Sequence, residues 1–122
     1  MTKITNKFKS KFEAEFSKQF PEATYEQLKF NYTSEHTYTP DWELNGMIME
    51  TKGVLDQQTR SKTLLVLKQN PDLAKRFCFV FQDPNKRITK NSKTRYRDWC
   101  DKHHIMWTTI DKLIATKRDD KK

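Results

Sequence analysis

The chain has few of the residues that mark several protein classes. Its 122 residues include only two cysteines, two glycines and four prolines. Two cysteines, Cys78 and Cys100, provide neither a disulfide framework nor a zinc-type pairing, so a reducing cytoplasmic setting is expected. No glycine- or proline-rich linker is present, and no apolar run approaches the ~20 residues of a membrane-spanning helix. We therefore expect one domain over residues 1–116, a charged flexible tail over 117–122 and no membrane partner.

Positive charge and aromatic side chains are abundant. Lysine and arginine number 24 against 16 acidic residues, which gives a formal net charge of +8. Aromatic residues make up 12% of the chain, enough large apolar surface to argue for a folded core. A basic surplus on a small domain favours a polyanionic partner, with nucleic acid the first candidate.

Hydrophobic periodicity predicts helices alternating with strands. Phenylalanines at every fourth position from Phe8 to Phe20 predict a first helix that is capped by Thr5 or Asn6 and ended by Pro21. The predicted helices are Thr5–Phe20, Asp56–Gln69 and Thr94–His103. The predicted strands are Tyr25–Thr33, Tyr38–Leu44, Met47–Lys52, Arg76–Phe81 and Ile105–Thr108. This order predicts an α/β fold with a central mixed sheet flanked by helices.

The Asn45-Gly46 dipeptide is the strongest local signal, since it favours a two-residue hairpin turn. With that turn, Asp41 opposes Glu50 and Thr39 opposes Lys52, all on one face. The other face would carry the core side chains Tyr38, Pro40, Trp42, Leu44, Met47 and Met49.

Two facing carboxylates repel unless a cation lies between them, and their hard oxygen atoms suit Mg²⁺ or Mn²⁺. Lys52 can then orient a water molecule or neutralise charge that develops on a phosphate. The spacing of Asp41, Glu50 and Lys52 therefore indicates metal-assisted phosphodiester hydrolysis. In the first helix, periodicity places Glu13 and Glu15 on opposite borders of the apolar stripe and does not choose between them.

The longer pattern is more specific. The segments His36–Asp41, Asn45-Gly46 and Glu50–Gly53, with Asn70–Leu73 and Tyr96 to Ile105 downstream, resemble the phage endonuclease I family of Holliday-junction resolvases. The resemblance extends over roughly residues 10–107 and implies a restriction-endonuclease-like fold. It also implies paired nicks in four-way and other branched DNA that leave 5′-phosphate and 3′-hydroxyl ends.

The resemblance assigns four catalytic residues. It implies that Asp41 is shared by two Mg²⁺ ions (or Mn²⁺ in their place), that Glu50 and the Thr51 carbonyl complete one metal shell, and that Lys52 positions the attacking water. It also prefers Glu13 to Glu15 as the helical acid near the second metal. No small-molecule cofactor besides the metal is expected.

Members of that family are intertwined homodimers. The resemblance therefore implies that residues 1–33 cross to the partner, so that Glu13 of one chain joins Asp41, Glu50 and Lys52 of the other. For a phage-encoded protein the expected location is the cytoplasm of the bacterial host.

Basic residues form three clusters that are expected to contact DNA phosphates without reading bases. They are Arg60, Lys62, Lys86, Arg87, Lys90, Lys93, Arg95 and Arg97. Two alternatives stay open: a branched-DNA-binding protein without catalysis, and a restriction- or mismatch-type nicking nuclease.

Overall fold

The computed structural model of the protein describes residues 8–32 and 36–120. Within these ranges, helices and strands alternate in a mixed order. The helices are α1 (Lys11–Gln19), α2 (Gln57–Gln69), α3 (Pro71–Ala74), α4 (Tyr96–Lys102) and α5 (Ile110–Asp120). The strands are β1 (Thr24–Tyr25), β2 (Phe30–Tyr32), β3 (His36–Tyr38), β4 (Trp42–Leu44), β5 (Met47–Lys52), β6 (Phe77–Phe81) and β7 (Met106–Thr108).

A five-stranded mixed sheet forms the centre, in the order β1-β4-β5-β6-β7. The β1–β4 and β4–β5 pairs are antiparallel, whereas β5–β6 and β6–β7 are parallel. Helices pack on both faces, and every residue of β6 is buried, as expected for a central strand with parallel neighbours. The predicted α/β class with a central mixed sheet is confirmed, and the last predicted strand forms β7 at one side of the sheet.

The first helix begins later than its pattern predicts. Residues 8–10 are bends, and the Ser10 hydroxyl caps α1 by accepting the Glu13 N–H at 3.1 Å. The predicted caps Thr5 and Asn6 lie outside the described residues. Phe16 and Phe20 are buried against the sheet, while Phe8 and Phe12 are half-buried at the same cluster.

The strand predicted over Tyr25–Thr33 is in fact two strands in different sheets. β1 joins the central sheet, β2 pairs with β3, and Glu26 between them adopts a positive φ of 51°. That left-handed residue turns the chain, and alternation of side chains alone gives no sign of it. Thr33 lies outside the described residues.

The Asn45-Gly46 hairpin has the predicted register. Leu44 faces Met47, Glu43 faces Ile48 and Trp42 faces Met49. The ladder stops at Trp42, however, so the predicted Asp41–Glu50 and Thr39–Lys52 strand pairs do not form. Because proline cannot donate to a ladder, the buried Pro40 explains this break.

The break at Pro40 also changes the side of the sheet on which Tyr38 lies. Tyr38 packs with Ile48, Phe77 and Phe79 on the α2 face, whereas Trp42 packs with Phe16 on the α1 face. The prediction that Tyr38 shares a core face with Trp42 is therefore wrong.

The remaining elements follow their sequence signals closely, with two omissions, the first of which is the short helix α3. Asp56 caps α2 by accepting the Thr59 N–H at 2.8 Å, and α4 lies within its predicted bounds. The C-terminal helix α5 has no counterpart among the predicted elements, and it continues through residues 117–120 of the predicted tail. No helix in the described ranges is long and apolar enough to cross a membrane.

Candidate active site

Polar and charged side chains gather where β5 ends. Glu50, Thr51 and Lys52 are the last residues of β5, and Asp41 lies in the bend just before β4. Since β5 runs parallel to β6, the carboxyl ends of both strands lie at the same edge of the sheet, and the segment that follows β6 leaves the sheet there. This edge is formed by strand ends and is not the lateral edge at β7. This edge is the candidate active site.

The Asp41 carboxylate is fixed by the neighbouring Thr51. Its Oδ2 accepts the Thr51 backbone N–H at 3.1 Å and the Thr51 hydroxyl at 3.0 Å. The Trp42 indole N–H in turn donates to the Thr51 hydroxyl oxygen at 3.2 Å. Asp41 is only 6% exposed. The hairpin therefore brings Asp41 beside β5 by side-chain hydrogen bonds where the ladder has stopped.

Glu50 lies between a tyrosine and a lysine. Its Oε1 accepts the Tyr38 hydroxyl, and its Oε2 lies 3.6 Å from the Lys52 ammonium nitrogen. The backbone N–H of Asp41 lies close enough to this carboxylate to lower its pKa. Glu50 and Lys52 thus form an ion pair at the edge of the sheet, with Lys52 the more exposed partner.

Glu13 reaches the site from α1. It is 6% exposed, and its Oε1 accepts the Lys9 backbone N–H at 2.8 Å and the Tyr25 hydroxyl at 2.9 Å. Its charge is felt at Asp41, where it raises the carboxyl pKa. Glu15 is exposed on the outer side of the helix. The structure thus brings Glu13, and not Glu15, to the site, and it does so within a single chain.

The three acids place carboxyl groups close together, so that their negative charges repel one another. Burial, and then the charges of Glu50 and Glu13, raise the pKa of Asp41 from 3.8 to about 8. Burial likewise raises the pKa of Glu50, although Lys52 and the Tyr38 hydrogen bond oppose the shift. A second cation beside Asp41 would relieve this repulsion.

Metal binding here would need water and substrate as additional ligands. Among the described residues, no three acidic, histidine or cysteine side chains form a ready-made metal cage. Mg²⁺ does not require one, since it retains several waters and binds through one or two carboxylates plus a substrate phosphate. Asp41 and Glu50 fit that requirement, because they offer hard oxygen ligands and their negative charge is only partly balanced by Lys52.

A loop rich in positive charge follows β6 at the same edge. We call residues 83–95 the basic loop. It is closed by hydrogen bonds from Ile88 N–H to Thr94 O and from Tyr96 N–H to Lys86 O, both 2.8 Å. Five of the predicted DNA-contacting residues are exposed on it: Lys86, Arg87, Lys90, Lys93 and Arg95.

The other three predicted basic residues lie beside this loop or the acids. The Arg60 guanidinium donates to Leu55 O at 2.7 Å and to Ile88 O at 3.3 Å, so it joins α2 to the basic loop. The Lys62 ammonium lies 5.8 Å from the Tyr38 ring centre and lowers the pKa of Glu50. Arg97, in the first turn of α4, is half-exposed.

Sequence analysis did not identify Tyr25 and Tyr38 as site residues. Alternation predicts a strand at Tyr25 and the hairpin register predicts one at Tyr38, yet the hydroxyls of these residues bond to Glu13 and Glu50. Pro40 was the available signal for Tyr38, because a break in the ladder frees the preceding strand to face the other side. Tyr25 gives no comparable signal in the sequence.

Buried carboxylates and a lysine at the edge of a mixed sheet, next to a basic loop, have the chemistry that metal-assisted phosphodiester cleavage would use. Comparison with known proteins agrees. A sequence model of the phage endonuclease I family matches residues 1–120, and the chain belongs to that family.

Two relatives from phages support this membership. The endodeoxyribonuclease 1 of Enterobacteria phage T3 is 40% identical over 115 residues, which cover 88% of this chain and 73% of the relative. The endonuclease I of Escherichia phage T7 is 40% identical over 118 residues, which cover 90% of this chain and 76% of the relative. The protein is thus a nuclease of the phage endonuclease type.

Proposed function

We propose that the protein is a structure-selective endodeoxyribonuclease that resolves four-way (Holliday) and other branched DNA. It would hydrolyse phosphodiesters with metal ions and make paired nicks that leave 5′-phosphate and 3′-hydroxyl ends. One observation carries the proposal: Glu13, Asp41, Glu50 and Lys52 meet at the sheet edge from which the basic loop emerges. The printed names of both relatives support the nuclease part, and that of the T3 protein supports DNA as the substrate.

The metal in this proposal is Mg²⁺, with Mn²⁺ able to replace it and two ions in each site. Asp41 would be shared by both ions, Glu50 and the Thr51 carbonyl would hold one, and Glu13 would lie at the other. When bound, the ions would polarise the scissile phosphate and favour deprotonation of water. The raised pKa of Asp41 supports this assignment, because a carboxylate cluster lacking charge compensation favours cation binding.

In this scheme Lys52 contacts both the attacking water and the substrate phosphate. Its ammonium group lies 3.6 Å from Glu50 and is partly open to solvent, so it can hold a water molecule beside that carboxylate. It can also donate to a phosphate oxygen as negative charge develops there. Glu50 keeps the lysine directed at the site.

The basic loop supplies the DNA contacts in the proposal. Its exposed lysines and arginines would neutralise phosphates along the arms of a junction without reading bases. Arg60, Lys62 and Arg97 would extend this surface toward α2 and α4. For Arg60, two of the five guanidinium donors of an arginine already suffice for the carbonyl contacts, so others stay available for phosphate.

We also propose a homodimer of restriction-endonuclease-like subunits in which residues 1–33 are exchanged, acting in the bacterial cytoplasm. Two sites related by a twofold axis suit the two strands cut in a four-way junction. Exchange of a segment replaces contacts within a chain by the same contacts between chains, so the geometry of the site described above is compatible with it.

A nicking assay tests the proposal. A synthetic four-way junction and a linear duplex of equal length are incubated with wild-type protein and with Glu50→Gln, in Mg²⁺ and in EDTA. We expect metal-dependent cuts confined to the junction, absent in Glu50→Gln and retained in Glu15→Gln, whose acid is exposed. Tight junction binding without any cleavage would instead indicate a non-catalytic binder. Equal cleavage of the duplex would indicate a restriction- or mismatch-type nuclease.

A further inference from the structure

Each acid of the candidate site accepts a hydroxyl group at one of its two oxygens. Tyr25 donates to Glu13 Oε1 at 2.9 Å, Thr51 donates to Asp41 Oδ2 at 3.0 Å, and Tyr38 donates to Glu50 Oε1. Within the described residues, Lys9 and Thr51 backbone N–H groups add their bonds to those same oxygens of Glu13 and Asp41. Each of these hydroxyl bonds therefore engages only one of the two oxygens of its carboxylate.

Tyr38 holds Glu50 from the α2 face of the sheet. Its ring is 9% exposed and lies 6.4 Å from the rings of Phe30 and Phe77. A ring fixed by such packing presents its hydroxyl in one place, whereas a glutamate alone has several rotatable bonds. The bond to Oε1 therefore selects the orientation in which Oε2 faces Lys52 at 3.6 Å.

Tyr25 holds Glu13 from the α1 face. Its ring lies 4.7 Å from that of Phe8 and 4.9 Å from that of Trp42, and its backbone pairs with Trp42. The two tyrosines thus belong to separate packed clusters on opposite faces of the sheet. Both glutamates that they hold lie close enough to Asp41 for their charges to raise its pKa.

We propose that Tyr38 and Tyr25 are positioning residues, whose hydroxyls orient Glu50 and Glu13 from opposite faces of the sheet. The inference rests on the proposed function in that it takes these glutamates as metal-binding acids. Neither tyrosine touches the substrate in this scheme, and both act through the carboxylate that they bind. Loss of such an outer hydrogen bond typically costs about 10–100-fold in metal affinity or activity.

The test removes the hydroxyls alone, in Tyr38→Phe, Tyr25→Phe and the double variant, with Tyr96→Phe as the matched control. Tyr96 is also buried and packs on an aromatic ring, that of Phe81, but donates to none of the acids. Three quantities are measured for each variant. Electron paramagnetic resonance gives Mn²⁺ affinity without DNA. The other two are the single-turnover rate of nicking of a four-way junction and the affinity for that junction in EDTA.

We expect each tyrosine variant to bind Mn²⁺ about tenfold more weakly and to nick about tenfold more slowly. Junction affinity and melting temperature should match those of the Tyr96→Phe control. In a Glu50→Gln background, Tyr38→Phe should weaken Mn²⁺ binding no further, because its effect passes through Glu50.

Two results would overturn the proposal. One is Mn²⁺ affinity and nicking rate equal to wild type in both tyrosine variants. The other is a loss that falls equally on junction affinity and melting temperature, which would make the hydroxyls structural only. The Mn²⁺ titration needs no DNA, so a wild-type protein that fails to cut junctions would defeat the proposed function and still leave this test readable.

Discussion

At the scale of single residues, the charge of Asp41 governs how the protein responds to pH. Its pKa is raised from 3.8 to about 8, so the folded protein binds a proton more tightly than the unfolded chain. Stability is then greatest below the unfolded pKa and is lost as pH rises through the window between the two values. Without metal, we expect the wild-type melting temperature to fall across that window.

Asp41→Asn removes the buried charge that destabilises the folded protein at high pH. In EDTA at about pH 8, we expect the variant to melt higher than wild type by about 4 °C or more, with the difference vanishing near pH 4. Thermal denaturation followed by circular dichroism measures both curves. Added Mg²⁺ should raise the wild-type melting temperature more at the higher pH and should affect the variant less. A variant that is less stable at every pH would contradict the electrostatic account.

Lys52 should matter for rate and not for affinity. Lys52→Ala removes the only cation that forms an ion pair with Glu50 within the described residues, so single-turnover nicking should slow by about a hundredfold or more. Junction affinity in EDTA should change little, because one phosphate contact at most is lost. Lys68→Ala, an exposed lysine in the last turn of α2, is the control for charge. A large loss of affinity with an unchanged rate would place Lys52 in the DNA interface instead.

At the scale of secondary-structure elements, the sequence predicts those features that neighbouring residues determine, such as turns and helix starts. The Asn45-Gly46 turn determines its own register, and Asp56 determines where α2 begins, so both predictions are confirmed. Glu26 and Pro40 break the strands on either side of the β2–β3 pair, and tertiary packing determines where the chain goes next. The predicted start of α1 is too early because it does not use Ser10 as the cap. The prediction also omits α5, although Ile110, Leu113 and Ile114 have helical spacing and pack in the core cluster of Phe16 and Trp42.

In the candidate site, too, some residues can be predicted from local sequence and others depend on tertiary packing. Spacing alone identified Asp41, Glu50 and Lys52, and the structure places them together, although side-chain bonds to Thr51 replace the expected strand pair. The choice of Glu13 over Glu15 needed the resemblance, since helical periodicity allows both. The directions of the two tyrosine hydroxyls depend on the breaks at Glu26 and Pro40, and only the break at Pro40 has a signal in the sequence.

The basic loop is the element expected to bind DNA. In the triple variant Lys86→Ala, Arg87→Ala, Lys90→Ala, the slope of log affinity against log salt should become shallower by about 1 for each residue that contacts a phosphate. The rate at saturating protein should be preserved, because the acids are untouched. Fluorescence anisotropy of a labelled junction over a salt series measures the slope. The matched control removes three exposed lysines outside the loop, Lys68, Lys75 and Lys102. Equal slopes in both triple variants would show that the charge acts diffusely.

At the scale of the whole molecule, the site joins two parts of the chain. Glu13 and Tyr25 lie within residues 1–33, whereas Asp41, Glu50 and Lys52 follow that segment. The parts are held together by β1–β4 pairing and by the Glu26 N–H, which donates to Asp41 O at 2.8 Å. The Tyr25–Glu13 bond lies inside the segment and the Tyr38–Glu50 bond outside it, so exchange between chains would preserve both.

Mixing two inactive variants decides whether the exchange occurs. If residues 1–33 cross to the partner, a heterodimer of Glu13→Gln and Lys52→Ala chains contains one site with all four native residues. Random reassociation would then restore about a quarter of the wild-type sites. The rate is measured by nicking of a four-way junction after the chains are unfolded and refolded together.

A second mixture provides the control for this experiment. Asp41→Asn and Lys52→Ala lie in the same part of the chain, so every site of their heterodimer carries one lesion and no activity should return. Recovery in the first mixture but not in the second would establish a composite site. If neither mixture recovers, Glu13 closes on Asp41 of its own chain, as the single-chain geometry allows. In that case the two cuts in a junction would come from complete subunits and would not depend on intertwining.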